Sequence, residues 1–421
     1  MRLPSCLPKG EDINTNEATG MNVQVQMSNN VPVSACGSSL WFSNAPAAMQ
    51  QVALMNHGNP QQRLRSPVDN TLRIIHVKGK IAGLCADPDG SRVIQHALET
   101  ATLGEIIMVY EEVTPYARML TIDVFGNYAI QKLLEHGPEF YKKKFISNLT
   151  GHVLPLSLHM YGCRVIQKAF EVADLDLKVQ MANEFCGKVL KCARDQYAHH
   201  VLQKCMECVP AQHIQFIFRS FCGKAKALSI TPYGCRVIQK VLAFCNNNPE
   251  IWQTIVSEII EAVVKLALDP FGNYVVQHVV EHGGPSERSM MVKKLEGRVV
   301  SMSYHKYASN VIEKCLVFGG LEDRQLMTTE ILNAGQHFDH LPGMMCHLYA
   351  NFVIQKMVTA ADEGQLRLLV EVAHRNMAMI MRHQHGRLVL AHIQKVLGER
   401  GMRLDMGIVD PQLLRRQAAE E

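Results

Sequence analysis

A five-residue pattern recurs along the chain, with polar or aromatic residues first, second and fifth and aliphatic residues third and fourth. Its copies begin at residues 91, 127, 163, 199, 235, 273, 309 and 351, so the step is 36 except for 38 from 235 to 273 and 42 from 309 to 351. We call the first, second and fifth residues of each copy its polar triplet. The triplets are Ser91, Arg92 and Gln95; Asn127, Tyr128 and Gln131; Cys163, Arg164 and Gln167; His199, His200 and Gln203; Cys235, Arg236 and Gln239; Asn273, Tyr274 and Gln277; Ser309, Asn310 and Glu313; and Asn351, Phe352 and Gln355.

The side chains of the polar triplets suit single-stranded nucleic acid. The fifth residue is Gln in seven copies and Glu313 in the other, and amides and carboxylates form hydrogen bonds with base edges. The second residue is usually Arg, Tyr, His or Phe, whose flat groups stack on bases. The pattern therefore predicts one base read per repeat.

A purely structural interpretation has the glutamines forming a hydrogen-bond ladder between repeats. That ladder would explain the constant Gln. It would not explain why Glu313 coincides with a changed first residue, Ser309, or why arginines alternate with aromatic residues at the second position. Base recognition is the better interpretation of the triplets.

Helices are the elements that position these triplets. Val237, Ile238, Val241 and Leu242 form one helical stripe. The dipeptides Asp87-Pro88, Thr231-Pro232 and Asp269-Pro270 predict helix starts with proline in the first turn. Because the first and fifth pattern residues are four apart, they share a helix face. We expect positions one, two and five to be exposed and positions three and four to be buried.

Repeats of this length cannot bury their apolar stripes alone, so they stack. The sequence predicts an all-α fold, a right-handed α-solenoid with concave and convex walls. Residues 66–85 and 372–399 are helical in pattern but lack the triplet, and are predicted to be capping repeats. Residues 1–65 are rich in Asn, Gln, Ser, Pro and Met and are predicted to be disordered. The folded domain is expected at 66–421.

Composition narrows the functional class. A net charge of +4 is too small to indicate nucleic acid by itself, and no apolar run is long enough for a membrane span. The 13 scattered cysteines are typical of reduced thiols in cytosol or nucleus. The single CxxC, Cys205 to Cys208, lacks further ligands, so no metal or cofactor is predicted. His383 and His385 lack catalytic partners, and no enzyme activity is expected.

The eight triplets resemble those of the Pumilio (PUF) family of RNA-binding proteins, and the resemblance extends over residues 66–399, including both caps. It implies a crescent of eight three-helix repeats. Single-stranded RNA would run antiparallel to the protein along the concave face. Phe352 stands where the family usually has Tyr, and His199 where it usually has Asn.

The family's recognition pattern assigns a base to each triplet. It implies uracil for Asn127 with Gln131, Asn273 with Gln277 and Asn351 with Gln355; adenine for Ser91 with Gln95, Cys163 with Gln167 and Cys235 with Gln239; and guanine for Ser309 with Glu313. Reading from the eighth repeat to the first gives 5′-UGUA-x-AUA-3′. The base x faces His199, His200 and Gln203; uracil with relaxed selectivity is expected there.

The resemblance further implies a cytoplasmic, monomeric regulator that binds mRNA 3′ untranslated regions and lowers translation or mRNA stability. Its convex face is expected to recruit deadenylation machinery or co-repressor proteins. The alternative is a protein-binding solenoid of the armadillo or HEAT type, which also has repeats of about 40 residues.

Overall fold

The computed structural model describes residues 73–245, 248–334 and 339–402. Within these ranges the chain is helical and has no strand, so the all-α prediction is confirmed. The segment 1–65, predicted to be disordered, lies outside the described residues. No helix in the described ranges is long and apolar enough to cross a membrane.

Each of the eight repeats contains three helices, named here first, second and third. The short first helices are Ile81–Cys85, Ala117–Ile122, Val153–Ser157, Val189–Arg194, Ala225–Ser229, Val263–Ala267, Val299–Ser303 and His340–Cys346. The second helices are Pro88–Thr100, Gly126–His136, Gly162–Val172, Ala198–Cys208, Gly234–Phe244, Gly272–His282, Ala308–Phe318 and Ala350–Ala360. The third helices are Leu103–Val113, Glu139–Ser147, Leu175–Asn183, Gln215–Arg219, Pro249–Glu261, Pro285–Leu295, Leu321–Asn333 and Glu363–Arg375.

The second helices form the continuous inner layer of the solenoid, since each packs against the second helix of the next repeat. Their aliphatic pattern residues supply the core: Val237, Ile238, Val241 and Leu242 are all buried. Burial of such side chains contributes about 1.5–3 kcal/mol each, which offsets the entropy of ordering the helices. The first helices pack against the second helices of their own repeats, and in repeats 1 and 5 to 8 they also contact the third helices.

A side-chain cap fixes the start of every second helix. The capping residue lies four positions before the first triplet residue, and is Asp87, Asp123, His159, Asp195, Thr231, Asp269, His305 or His347. In repeat 1 the prediction is confirmed, because Asp87 is the N-cap and Pro88 opens the helix. It is wrong for Pro232 and Pro270, since those helices begin at Gly234 and Gly272 and the prolines lie in the preceding turn.

Carboxylates in the third helices of odd-numbered repeats hold the start of the first helix in the same repeat. Glu184 accepts hydrogen bonds from the backbone N–H groups of Gly151 at 2.6 Å and Val153 at 2.7 Å. Gly151 has a φ of +81°, a conformation that glycine adopts without strain. Equivalent contacts are made by Glu112, Glu258 and Glu330.

Short helical segments close both ends. A 3₁₀ turn at Ile74–Val77 precedes repeat 1. Ile81–Cys85, which was predicted as part of the N-terminal cap, is instead the first helix of repeat 1, since it packs against Pro88–Thr100. At the other end, Gln384–Glu399 packs against the second helix of repeat 8 and continues the inner layer, as predicted for a cap.

Candidate nucleic-acid interface

The structure brings the eight polar triplets onto the inner layer, one on each second helix. All eight residues at position two are exposed, and all eight at position five are half-buried. The expectation that position one is exposed is wrong. Those residues are between 0 and 5% exposed. In repeats 1 and 4, Ser91 and His199 contact Phe125 and Tyr233 in the turn before the next second helix.

The asparagine triplets are held in one geometry by their own helix. Asn273 donates from Nδ2 to the carbonyl oxygens of Asp269 at 2.8 Å and Pro270 at 3.0 Å, and its Oδ1 accepts from Nε2 of Gln277 at 2.9 Å. Asn127 and Asn351 make the same contacts. The Asn amide N–H groups are therefore used internally. The Gln amide keeps a second N–H and its oxygen for a ligand.

The triplets with a small first residue use the backbone to position Gln. Gln167 and Gln239 donate from Nε2 to the carbonyl oxygens of Cys163 at 3.0 Å and Cys235 at 3.1 Å. Gln95 donates to Oγ of Ser91 at 3.1 Å, and that hydroxyl donates to the carbonyl of Phe125 in the next repeat. All seven glutamines thus donate within their own helix to the residue four before. The proposed ladder between repeats does not account for these bonds.

Repeat 7 carries the single carboxylate among the triplets. Glu313 occupies the fifth position, where the other repeats have Gln, and the first residue of its triplet, Ser309, is buried. Burial raises the pKa of Glu313 above its ordinary value, and the Lys356 ammonium opposes the rise only in part. A desolvated carboxylate is an acceptor only, and it is stabilised by a ligand that offers two adjacent N–H donors.

Repeat 4 has a ring where the other repeats have a small or amide side chain. His199 bonds through Nδ1 to the carbonyl oxygen of Asp195 at 2.9 Å and lies against Tyr233 of the next repeat, with ring centroids 4.8 Å apart. Its ring also contacts His200, with centroids 3.8 Å apart. Burial, reinforced by His200, lowers the pKa of His199, so the ring is neutral at pH 7. Gln203 donates to the backbone carbonyl of His199.

The sequence prediction missed a regular series of aromatic residues just before the triplets, one of which, Tyr233, lies against His199 of the preceding repeat. An aromatic residue lies two positions before the first triplet residue in repeats 2 to 8, at Phe125, Tyr161, Tyr197, Tyr233, Phe271, Tyr307 and Tyr349. The regular spacing of these rings was a signal available in the sequence. Neighbouring position-two side chains also touch, since the Arg236 guanidinium lies 5.5 Å from the centroid of the Tyr274 ring.

A second missed feature is a row of alternating charges along the second helices. The edge ladder consists of Glu99, Lys132, Glu135, Lys168, Glu171, Lys204, Glu207 and Lys240. Lys204, for example, lies 3.0 Å from Glu171 of the preceding repeat and 3.0 Å from Glu207 of its own helix. Hydrogen bonds with Glu207 and Glu171 raise the pKa of Lys204. The ladder ties repeats 1 to 5 together.

The cysteines show no sign of metal or redox chemistry in the part of the chain that the structure describes. All the described cysteines are free thiols, and the described residues contain no cluster of three or more metal-ligating side chains. Burial raises the pKa of Cys205, and Cys208 raises it further, so this thiol stays protonated.

Comparison with known proteins identifies the family. The model of the Pumilio-family RNA binding repeat matches residues 80–114, 118–150, 152–186, 188–220, 226–260, 262–296, 298–332 and 340–373. Among curated proteins, the mRNA-binding protein puf3 of Schizosaccharomyces pombe is 43% identical over 361 residues, which cover 85% of this chain and 48% of the relative. Pumilio homolog 12 of Arabidopsis thaliana is 28% identical, with 84% of this chain and 58% of the relative covered. The chain spans about half the length of these relatives.

Solved structures agree with this assignment. The Puf3 RNA binding domain bound to a Cox17 RNA 3′ UTR recognition sequence aligns with a TM-score of 0.70 and 31% identity, covering 76% of this chain and 96% of that one. PUF-8 in complex with PBE-RNA aligns with a TM-score of 0.70 and 31% identity, covering 77% and 95%. The predicted solenoid of eight three-helix repeats is confirmed, and the chain belongs to the Pumilio (PUF) family of RNA-binding proteins.

Proposed function

We propose that this protein binds single-stranded RNA of the sequence 5′-UGUA-x-AUA-3′, with one base for each repeat and the RNA antiparallel to the chain. The observation that carries the proposal is the fixed pairing of positions one and five. Seven Gln amides are oriented by the residue four before them. Glu313 provides the one different acceptor, at the repeat assigned to the second base.

Uracil recognition follows from the amide geometry. In repeats 2, 6 and 8 the remaining N–H and the oxygen of Gln131, Gln277 and Gln355 match the uracil edge, which offers both an acceptor and a donor. In repeats 1, 3 and 5 the small first residue leaves room for an adenine beside Gln95, Gln167 and Gln239. These six repeats define six of the eight bases.

Guanine recognition rests on charge. The Watson-Crick edge of guanine has two adjacent donors, and a carboxylate accepts from both. Charge-assisted hydrogen bonds are roughly twice as strong as neutral ones. Glu313 therefore selects guanine at the second base, where Gln would select another base.

Exposed rings at position two supply affinity without selecting a base. Tyr128, Tyr274 and Phe352 are between 47 and 49% exposed and are free to take a base on one face. Stacking contributes about 1–3 kcal/mol per base. Repeat 4 keeps a ring at His200, but His199 replaces the amide, so selectivity for x is relaxed and uracil is the first choice.

The biological setting follows from the relatives. The similar Puf3 domain was solved with an RNA 3′ UTR recognition sequence, and the fission yeast relative is named an mRNA-binding protein. We extend this to mRNA 3′ untranslated regions as the target and to repression of translation or mRNA stability in the cytoplasm. Residues 66–421 would act as a monomeric RNA-binding domain, with deadenylation machinery or co-repressors bound to the convex face.

A gel shift with two RNAs tests the proposal. RNA containing UGUAUAUA is expected to bind the full chain, and the same RNA with UGU changed to ACA is expected to bind at least tenfold more weakly, because three edge contacts are lost. Equal binding of both RNAs would favour a peptide-binding solenoid of the armadillo or HEAT type.

A further inference from the structure

The edge ladder is interrupted between repeats 5 and 6. The position that holds Glu135, Glu171 and Glu207 in earlier repeats holds Ala243 in repeat 5. The position that holds Lys204 and Lys240 holds His278 in repeat 6. The charge pairing resumes after the gap, where Lys314 contacts Glu281 at 2.6 Å.

A cavity of about 320 Å³ lies at this interruption. Its lining combines apolar, aromatic and imidazole groups: Leu242, Ala243, Trp252, His278, Val279 and His282, with Gly283. Trp252 is half-buried, and no hydrogen bond of its indole N–H is found among the described residues. Trp is one of the residues that most often dominates the energy of a protein interface.

The His278 imidazole in the cavity is uncharged at neutral pH. Burial, together with a smaller effect of His282, whose ring centroid is 4.6 Å away, lowers the pKa of His278 to about 4. A neutral imidazole beside an indole and two aliphatic side chains favours an apolar occupant. At about 320 Å³ the cavity is at the small end of the range of ligand-binding pockets, about 300–1,000 Å³.

Lys240, three residues before Ala243 on the same helix, contacts fewer carboxylates than the other lysines of the edge ladder. Lys132, Lys168 and Lys204 each contact two carboxylates, one from the preceding repeat and one three residues later. Lys240 pairs with one carboxylate, that of Glu207, because the residue three positions later is Ala243; its ammonium also lies 5.3 Å from the centroid of the Phe244 ring. A carboxylate placed beside Ala243 would restore the arrangement that Lys204 has.

We propose that the cavity is a docking site for a partner protein, and that it takes a short segment with a bulky apolar side chain next to an Asp or Glu. The apolar side chain fills the space beside Trp252 and His278. The acidic side chain pairs with Lys240, and the indole N–H of Trp252 donates to the segment's backbone. This site is independent of RNA recognition, since none of its lining residues belongs to a polar triplet.

The chain contains two tryptophans, Trp41 and Trp252. The tryptophan fluorescence of a W41F variant therefore comes from Trp252 alone and reports binding directly. Random 12-residue peptides displayed on phage are selected on the full chain, and the enriched peptides are titrated against W41F while Trp252 fluorescence is followed. Enrichment of a bulky apolar residue beside Asp or Glu, with saturable fluorescence change, is expected. Selection of no such motif would overturn the proposal.

Three variants locate the binding. K240M should weaken the selected peptide by at least fivefold, whereas K168M, a ladder lysine with both carboxylates, should leave its affinity unchanged. A243E/H278K completes the ladder across the cavity and should abolish peptide binding while the affinity for UGUAUAUA RNA stays the same. Equal peptide affinity for this double variant and wild type overturns the proposal.

The RNA affinity of these variants shows whether the cavity is separate from the RNA-binding surface. If A243E/H278K or K240M weakens RNA as much as peptide, the cavity belongs to the RNA path and the docking proposal is wrong. W252A, titrated with fluorescently labelled peptide, should lose affinity at least tenfold; A243E/H278K tests the same site without removing a packed ring.

Discussion

Repeats 7 and 4 hold the two polar triplets that depart from the common pattern of a small or amide first residue with Gln at the fifth position, and they depart in opposite ways. In repeat 7 the change adds charge, since Glu313 replaces Gln behind a small, buried Ser309. In repeat 4 the change adds volume, since the His199 ring fills the space under Tyr233 and lies against His200. Under the proposed base assignments, a change within one triplet therefore sharpens or loosens recognition, depending on whether the new group accepts hydrogen bonds or occupies space.

The largest expected effect comes from removing the charge of repeat 7. The double change S309N/E313Q recreates the first and fifth residues of the repeat 6 triplet and should switch the second base from guanine to uracil. A hydrogen bond to a charged group contributes about 1.5–3 kcal/mol, so each preference should change by roughly 10- to 150-fold. Equilibrium binding of UGUAUAUA and UUUAUAUA to both proteins measures it.

The control for this switch is an RNA changed at the fourth base, which faces Cys235 and Gln239. That change should weaken wild type and variant equally. Continued preference of the variant for guanine, or equal binding of both RNAs by wild type, contradicts the assignment of Glu313.

The second prediction concerns pH. Because burial raises the pKa of Glu313 in the free protein and guanine needs the ionised carboxylate, binding releases a proton from the protonated fraction. Affinity for UGUAUAUA should be constant above the raised pKa and fall by up to about tenfold per pH unit below it. The S309N/E313Q variant with UUUAUAUA contains the same histidines and should lack this component. Parallel pH profiles for the two pairs between pH 7 and 5 would refute it.

The third prediction restores the amide of repeat 4. H199N should remove the ring stacked under Tyr233 and let Gln203 bond to an amide oxygen, as Gln277 does to Asn273. The preference for uracil at x should rise by roughly 3- to 10-fold, the value of about one neutral hydrogen bond. Competition among four RNAs that differ only at x measures this. If wild type already selects uracil as strongly as H199N, the ring does not relax recognition.

The smallest effect is expected from the stacking ring of repeat 4. His200 already contacts His199, whereas Tyr274 carries only the Arg236 guanidinium at 5.5 Å. Y274A should lose about 1–3 kcal/mol of RNA binding energy, the usual contribution of a stacked base. H200A should lose less. A loss for H200A that equals the loss for Y274A shows that both rings stack fully.

The repeats and the triplets could be predicted from the sequence because both are periodic. Valine and isoleucine at positions three and four, as in Val237 and Ile238, predicted the buried stripe correctly. The exposure of position one was predicted wrongly because residues such as Ser91 and His199 contact a turn of the next repeat, and a contact between repeats has no signature within one repeat. The helix starts after Pro232 and Pro270 were misplaced because Thr231 and Asp269 cap from two residues further out.

The edge ladder also contains contacts between repeats that the sequence does not show. Lys204 and Glu207 are an ordinary pair three residues apart on a helix, and their spacing is visible in the sequence. The link from Lys204 to Glu171 spans 33 residues, and the stacking distance of the second helices decides it. The interruption at Ala243 and His278 can be recognised only when the contacts between neighbouring repeats are known.

An in vitro selection from an RNA pool randomised over 12 positions, performed with the full chain, tests the central claim most directly. The proposed base assignments predict an enriched eight-base core, UGUA-x-AUA, with invariant UGU and with x the least conserved of the eight bases. An enriched sequence without UGU, or one in which x is as constant as the guanine assigned to Glu313, would contradict it.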